Sequence, residues 1–307
     1  MTWTDKTAFT GEAAAFAGEL HDKLAALPSL ALSTLDSEST ALFVVDMVEG
    51  FARQGVMASP RVEALIAPIA ALAGRCEAAD IPVVAFADTH APDSLELQAY
   101  PPHCLRGTEE ARLCPEIAAA APKHTVLEKN STNGFLEPVF ELWRREHATA
   151  TTYLVTGDCT DICVLQFVLS AKAWHNTRNL PLRILVPTAL TDTFDAPGHP
   201  ADTLGAAALY LMEAAGAELY GAQEKRDTGN IEAISAETTA AKVAELPYAK
   251  KPEDYAEYKD IKGISVDEAL VEGLGSVDHS EDDDAIGSVS EEFLAQKVKE
   301  FNEKYGR

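Results

Sequence analysis

Thr151-Thr152-Tyr153-Leu154-Val155-Thr156 runs directly into Gly157-Asp158-Cys159-Thr160-Asp161-Ile162-Cys163-Val164. The first six residues read as an apolar strand, and the polar residues after them as a turn. Apolar residues at helical spacing then continue to about His175, which places Cys163 in the first turn of a helix. A helix N-terminus carries unpaired backbone N–H groups and a partial positive charge. A thiol there is expected to lose its proton more easily than in water, by about one pKa unit or more. A buried structural cysteine on a helix has the same local sequence. The rest of the chain has to decide between the two.

Working outward, the same strand–turn–helix rhythm recurs. Ala41-Leu42-Phe43-Val44-Val45 is a continuous apolar run, as expected of a parallel strand buried on both faces, and Asp46 ends it. Ser59 and Pro60 open a helix expected to reach about Ala79, with Ser59 as N-cap and Pro60 at the first helical position. Further strands are expected over residues 81–87, ending at Asp88, over 124–127, ending at Glu128-Lys129, and over 182–187 and 217–221. Helices are expected over 136–147 and 200–215. Such alternation predicts an α/β fold: a six-stranded, mostly parallel sheet with helices on both faces in three layers, joined by right-handed crossovers. Ligands of such sheets bind at the carboxyl ends of the strands. Asp46, Asp88, Lys129 and the 158–163 segment should therefore meet on one rim.

The flanks differ. Residues 1–38 read as a helical N-terminal arm, with a helix over 11–27 that could cover an edge of the main domain, 39–222. Residues 223–307 read as an acidic C-terminal extension, rich in Ala, Glu, Asp and Lys. It holds the run Glu281-Asp282-Asp283-Asp284 and an expected last helix over 290–304.

The 307 residues are 47% hydrophobic, enough for a sizeable core, and carry a formal net charge of -24. A surface of that sign repels nucleic acid and anionic membranes and suits a protein that handles small molecules. No apolar run approaches the roughly 18 to 20 residues that span a bilayer. The five cysteines (Cys76, Cys104, Cys114, Cys159 and Cys163) are odd in number and irregularly spaced, and the first residues are polar. A disulfide scaffold is not expected, and a reducing, cytoplasmic setting fits best.

Two constellations carry chemistry. In the first, Cys163 would supply a thiolate, Asp46 would take and return its proton, and Lys129 would orient both by its charge. The backbone N–H groups of Cys159 and Cys163 lie where an oxyanion hole would form. Each residue alone has a plainer role, as a turn aspartate or a solvated lysine; their joint placement on strand ends points to catalysis. The second constellation is Asp88, His90, Glu96 and His103. Asp88 and His90 sit at an i, i+2 spacing beyond a strand, so both can face one way. Two imidazoles with one or two carboxylates suit zinc, iron or manganese, water filling the open positions. A structural role for these histidines beside a proline-rich loop is the alternative.

Taken in order, the motifs resemble those of the isochorismatase-like cysteine hydrolases, and within them the nicotinamidase-like branch. The resemblance spans residues 40–221. It rests on Leu42-Phe43-Val44-Val45-Asp46 with Phe51 beyond it, and on Asp88-Thr89-His90 followed by Pro101-Pro102-His103-Cys104-Leu105-Arg106-Gly107-Thr108. It also rests on Glu128-Lys129 and on Gly157-Asp158-Cys159-Thr160-Asp161-Ile162-Cys163-Val164.

The resemblance implies Cys163 as nucleophile, Asp46 as proton-transfer residue, Lys129 as third member of the triad, and a cis Asp158–Cys159 peptide bond. It implies a divalent metal, zinc first and iron or manganese next, held by Asp88, His90 and His103, with Glu96 as a further carboxylate ligand. Phe51 and Tyr100 would flank a flat aromatic substrate. The implied reaction is nicotinamide plus water to nicotinate and ammonia through a thioester, a step of NAD salvage, in a homo-oligomer. Thr89, Thr132, Asp158 and the short 90–103 segment depart from the family pattern. They keep open another C–N hydrolase of the superfamily acting on a ureido or carbamoyl amide, or an isochorismatase. A non-catalytic binding scaffold that uses the acidic tail is the rival from another class.

Overall fold

The computed structural model describes residues 5–221. The acidic run, the helix expected over 290–304 and the rest of the expected C-terminal extension lie outside the described residues. In chain order the elements are α1 (Lys6–Ala25), β1 (Thr40–Val45), α2 (Glu49–Ala52), α3 (Pro60–Glu63), α4 (Ile66–Ala78), β2 (Val83–Asp88), α5 (Pro115–Ala120) and β3 (Thr125–Lys129). They continue with α6 (Pro138–Glu146), β4 (Thr152–Gly157), α7 (Leu165–Thr177), β5 (Arg183–Pro187), α8 (Ala201–Ala214) and β6 (Glu218–Tyr220). The strands form one sheet of six in the order β3-β2-β1-β4-β5-β6, and every neighbouring pair runs parallel.

Why β1 is apolar at every position is visible in its packing. Leu42 and Val44 face a core shared with Val62, Ile69, Leu72 and Ile117 of α3, α4 and α5. Ala41, Phe43 and Val45 face the opposite core, built with Phe140 and Trp143 of α6, Phe167 of α7 and Met212 of α8. Both faces of the strand are dry, so alternation with polar residues is not allowed. On the second face Phe43 sits at the centre of an aromatic cluster, 4.7 Å from Tyr153, 5.2 Å from Trp143 and 5.3 Å from Phe167 between ring centroids.

The single helix expected from Pro60 to Ala79 is two. Pro68 lies in the first turn of α4 and has no N–H to give to residue 64, so the helical ladder breaks between Glu63 and Ile66. Ser59 does cap α3, its Oγ accepting from the Arg61 N–H. The N-terminal helix begins and ends earlier than expected, at Lys6 and Ala25, with Asp5 as its N-cap. It lies on α8, where Phe16 meets Tyr210 edge-on at 5.1 Å and Lys23 pairs with Glu213. Beyond it, Ser29 bridges to Gly221 in parallel register next to the β6 edge, and Leu30 and Leu32 enter the core.

The strand order turns around between β1 and β4. Crossovers after β1 run one way, toward β2 and β3, and those after β4 run the other. A crevice opens at the carboxyl ends of the two strands where the directions part. Asp46 and the 158–163 turn flank it.

Candidate active site

At the end of β1 the backbone turns sharply. Asp46 has φ 52°, in the left-handed region, and its carbonyl accepts from the Val48 N–H at 2.6 Å. A non-glycine residue held there costs about 1–3 kcal/mol, and such positions gather at functional sites. β4 runs beside β1 with Val45 opposite Gly157. Gly157 has φ 109°, and a Cβ there would collide with the Val45 carbonyl oxygen. Only glycine lets the two strand ends approach this closely. The following Asp158–Cys159 peptide bond is cis.

β2 and β3 pair Asp88 with Lys129. From there the Lys129 side chain, fully buried, reaches across the strand ends. Its Nζ lies 2.8 Å from Asp88 Oδ1, 2.9 Å from Asp46 Oδ2, 2.9 Å from the Ser131 carbonyl oxygen and 3.8 Å from Cys163 Sγ. The contact with Asp46 is an ion pair rather than an aligned hydrogen bond, and both Asp46 oxygens lack hydrogen-bond partners among the described residues. Asp46, Lys129 and Cys163 therefore do come together, and Asp88 joins them through Lys129.

Electrostatics follow from burial. Burial pushes the Asp46 carboxyl up from its ordinary value to about 6; Lys129 opposes the rise and the charge of Asp88 adds to it. Asp88 is also buried, yet Lys129, His103 and His90 outweigh that and hold it well below the usual carboxylate range. Burial pushes the Cys163 thiol well above its ordinary value; Lys129 pulls it down and Asp46 and Asp88 push it up.

The helix-terminus expectation of an acidic thiol is thus overturned. Cys163 lies in a π-helical turn, Thr160–Val164, that leads into α7, where desolvation and two carboxylates raise the thiol. Asp158, buried completely, is driven up by burial and by Asp46.

The histidine cluster is built by a backbone ladder. The His90 N–H donates to the Cys104 carbonyl at 2.9 Å, and the Arg106 N–H to the His90 carbonyl at 2.9 Å. This folds the 90–105 segment back on itself and places His103 beside His90. Nε2 of His90 lies 2.9 Å and Nε2 of His103 3.0 Å from Asp88 Oδ2, and the two nitrogens are 3.2 Å apart. His103 Nδ1 donates to the Pro101 carbonyl at 2.7 Å, which leaves Nε2 free to ligate. Three buried ligand atoms thus converge on one point. Two imidazoles and a carboxylate form a donor set that fits zinc, iron or manganese.

Glu96 stands beside this set. One oxygen is 3.9 Å from His90 Nε2, and the other accepts the Thr132 N–H at 2.9 Å.

The cavity between the triad and this cluster holds about 440 Å³ of empty space including its mouth, and Phe51, Tyr100, Asp88, His103 and Cys163 all line it. Phe51 and Tyr100 pack near His103, ring centroids 5.5 and 6.2 Å away. Cys159 lines it too, and its N–H donates to no acceptor among the described residues. The expected residues are therefore on the rim or in the cavity.

Met57, Val62, Ile162 and Phe194 also line the walls and follow from no sequence expectation. Met57, Val62 and Phe194 come from connections and helix starts where no motif marks them. All five cysteines are free thiols. No helix among the described residues is long and apolar enough to cross a membrane.

Comparisons with known proteins agree with this fold. The family model for the isochorismatase domain matches residues 40–173. The chain is 32% identical over 209 residues to Nicotinamidase 1 of Arabidopsis thaliana, covering 59% of this chain and 85% of that one. Among solved structures, a cysteine hydrolase from Pseudomonas syringae pv. phaseolicola 1448A superposes with a TM-score of 0.53 at 16% identity, covering 71% of this chain and 97% of that one. A pyrazinamidase/nicotinamidase from Streptococcus mutans UA159 does so with a TM-score of 0.50 at 22% identity, over 59% of this chain and 99% of that one. At those identities the two structures speak for the fold alone.

Proposed function

The chain belongs to the isochorismatase family, and from that membership we propose that it is a cysteine amidase that converts nicotinamide and water to nicotinate and ammonia. One observation carries the reading. Lys129 Nζ touches Asp46 and Asp88 and lies 3.8 Å from Cys163 Sγ, and Cys163, Asp88 and His103 line one cavity.

The reaction follows from these groups. Asp46 takes the Cys163 thiol proton as the sulfur attacks the carboxamide carbon, so no free thiolate has to persist in the buried site. The N–H groups of Cys159 and Cys163 hold the oxyanion. Asp46 returns the proton to the departing nitrogen and ammonia leaves, giving a thioester. Asp46 then takes a proton from water, the hydroxide attacks the thioester carbon, and the carboxylic acid departs as the thiol is restored. Lys129 stays charged throughout and limits the cost of each change on Asp46.

Asp88, His90 and His103 would hold a divalent cation, zinc by donor set, with Glu96 as an adjacent carboxylate. The chemistry such a cation supplies is a Lewis-acidic anchor for a pyridine ring nitrogen. Phe51 and Tyr100 would flank the ring.

The test is ammonia release from nicotinamide, pyrazinamide and a carbamoyl amide, in wild type and in Cys163→Ala. Release from nicotinamide that disappears in the variant supports the reading. Undiminished release from the variant would sink it, and release from the carbamoyl amide alone would reassign the substrate.

A further inference from the structure

The connection between β5 and α8 forms one wall of the cavity through Phe194, and it is fastened to the nucleophile turn at several points. The Thr160 N–H donates to the Asp192 carbonyl at 3.0 Å, and the Thr160 and Thr191 hydroxyls are 2.8 Å apart. The Asp192 carboxylate accepts from Arg61 at 2.8 Å. Next, Pro197 and Gly198 make a tight turn closed by the His199 N–H on the Ala196 carbonyl at 2.8 Å, with Gly198 at φ 84°. A Pro-Gly pair is preset for such a turn. The turn brings the His199 ring back onto Phe194.

The two rings stack with centroids 3.8 Å apart and planes 9° from parallel. His199 Nδ1 lies 2.9 Å from the Phe194 carbonyl oxygen, and Nε2 lies 2.9 Å from Asp161 Oδ2. Asp161 lies two residues before Cys163. Its other oxygen is buried with no hydrogen-bond partner among the described residues, so its link to the loop runs through His199. Neither Asp161 nor His199 takes part in the triad or the metal cluster.

We propose that Phe194 is a substrate-contacting residue that selects for a planar ring beside the carboxamide, and that His199, anchored on Asp161, is the positioning residue that holds Phe194 in place. The inference rests on the amidase reading and adds to it a further ring-contacting residue and the group that holds it in place. Phe194 faces the same cavity as Phe51 and Tyr100, so a flat ring there is contacted by aromatic surface from separate elements. Aromatic contacts of this kind contribute up to about tenfold each in affinity.

The test compares wild type, Phe194→Ala, His199→Ala and the double variant. The first readout is the ratio of kcat/KM for nicotinamide to that for acetamide. The second is the ratio of Cys163 alkylation rates by N-benzyl-2-iodoacetamide and by iodoacetamide, which needs no turnover. Phe194→Ala is expected to lower both ratios about tenfold. In the first ratio the loss should come from a higher KM for nicotinamide more than from kcat.

His199→Ala is expected to lower both ratios in the same direction and to add nothing in the Phe194→Ala background. Unchanged ratios in Phe194→Ala overturn the proposal. Additive losses in the double variant overturn the statement that His199 acts through Phe194. If wild type releases no ammonia from any amide, the amidase reading fails, while the alkylation ratio still decides whether Phe194 selects for a ring.

Discussion

Lys129→Met is the perturbation that tests the electrostatic design of the site most directly. The side chain keeps its length and loses its charge. In the wild type the ammonium lies 2.9 Å from Asp46 Oδ2 and the carboxyl is held at about 6, burial raising it and Lys129 restraining it. Opposite unit charges at that separation attract by about 6 kcal/mol at an effective dielectric constant near 20. Dividing by 1.36 kcal/mol per unit gives about 4 pKa units at most. Even a quarter of that moves Asp46 from about 6 to about 7.

The sign is fixed. A raised carboxyl is protonated over more of the pH range, and a protonated Asp46 cannot accept the thiol proton. The assay is kcat/KM for ammonia release from nicotinamide between pH 5 and 9. Wild type should show an acid limb near pH 6, set by Asp46. In Lys129→Met the limb should move up by about one to four units. Activity at pH 7 should fall by up to about a thousandfold and recover in part by pH 9. A loss of equal size at every pH would refute the reasoning, since it would show that Lys129 does not act through the Asp46 proton.

Further outcomes follow from the same geometry. Treatment with a chelator, or His103→Ala, should lower bound metal measured by elemental analysis and raise KM for nicotinamide at least about tenfold, with a smaller fall in kcat, because the cluster lines the substrate cavity and is distinct from the sulfur. Gly157→Ala should cost about 3 kcal/mol or more, since the new Cβ collides with the Val45 carbonyl and φ is positive. For a domain of this size that is a fall in thermal midpoint of about 6–12 °C, and an unchanged midpoint would contradict the close approach.

Asp158→Asn should raise the midpoint. The Asp158 carboxyl is driven up in the folded state, so its contribution to stability is greatest below the ordinary aspartate range and is lost as pH rises through the folded value. The gain from Asn should therefore be larger at pH 8 than at pH 4, and a lower midpoint at both would count against it.

Much of the fold was legible locally. Residues 41–45, 83–87 and 152–156 are apolar at nearly every position because both sheet faces are covered, and strand-end polar residues mark where the sheet stops. That period alone places Asp46, Asp88, Lys129 and the 158–163 turn on one rim. The cis bond was legible only through family resemblance.

Other features depend on what lies alongside in space. That Lys129 joins Asp46 to Asp88 depends on β3, β2 and β1 being neighbours in that order. The acidity of Cys163 was misjudged because a helix terminus is a local feature, whereas desolvation and two carboxylates from other strands are not. Phe194 and His199 follow no motif, and their place over the nucleophile turn is decided by a Pro-Gly turn and by Asp161 from a different strand end. Sequence by itself determined which elements form and which residues cap them, because backbone and burial periodicity are short-range. Tertiary structure alone decided which charges share a dry site and which rings line the cavity, because those depend on distances between residues far apart in the chain.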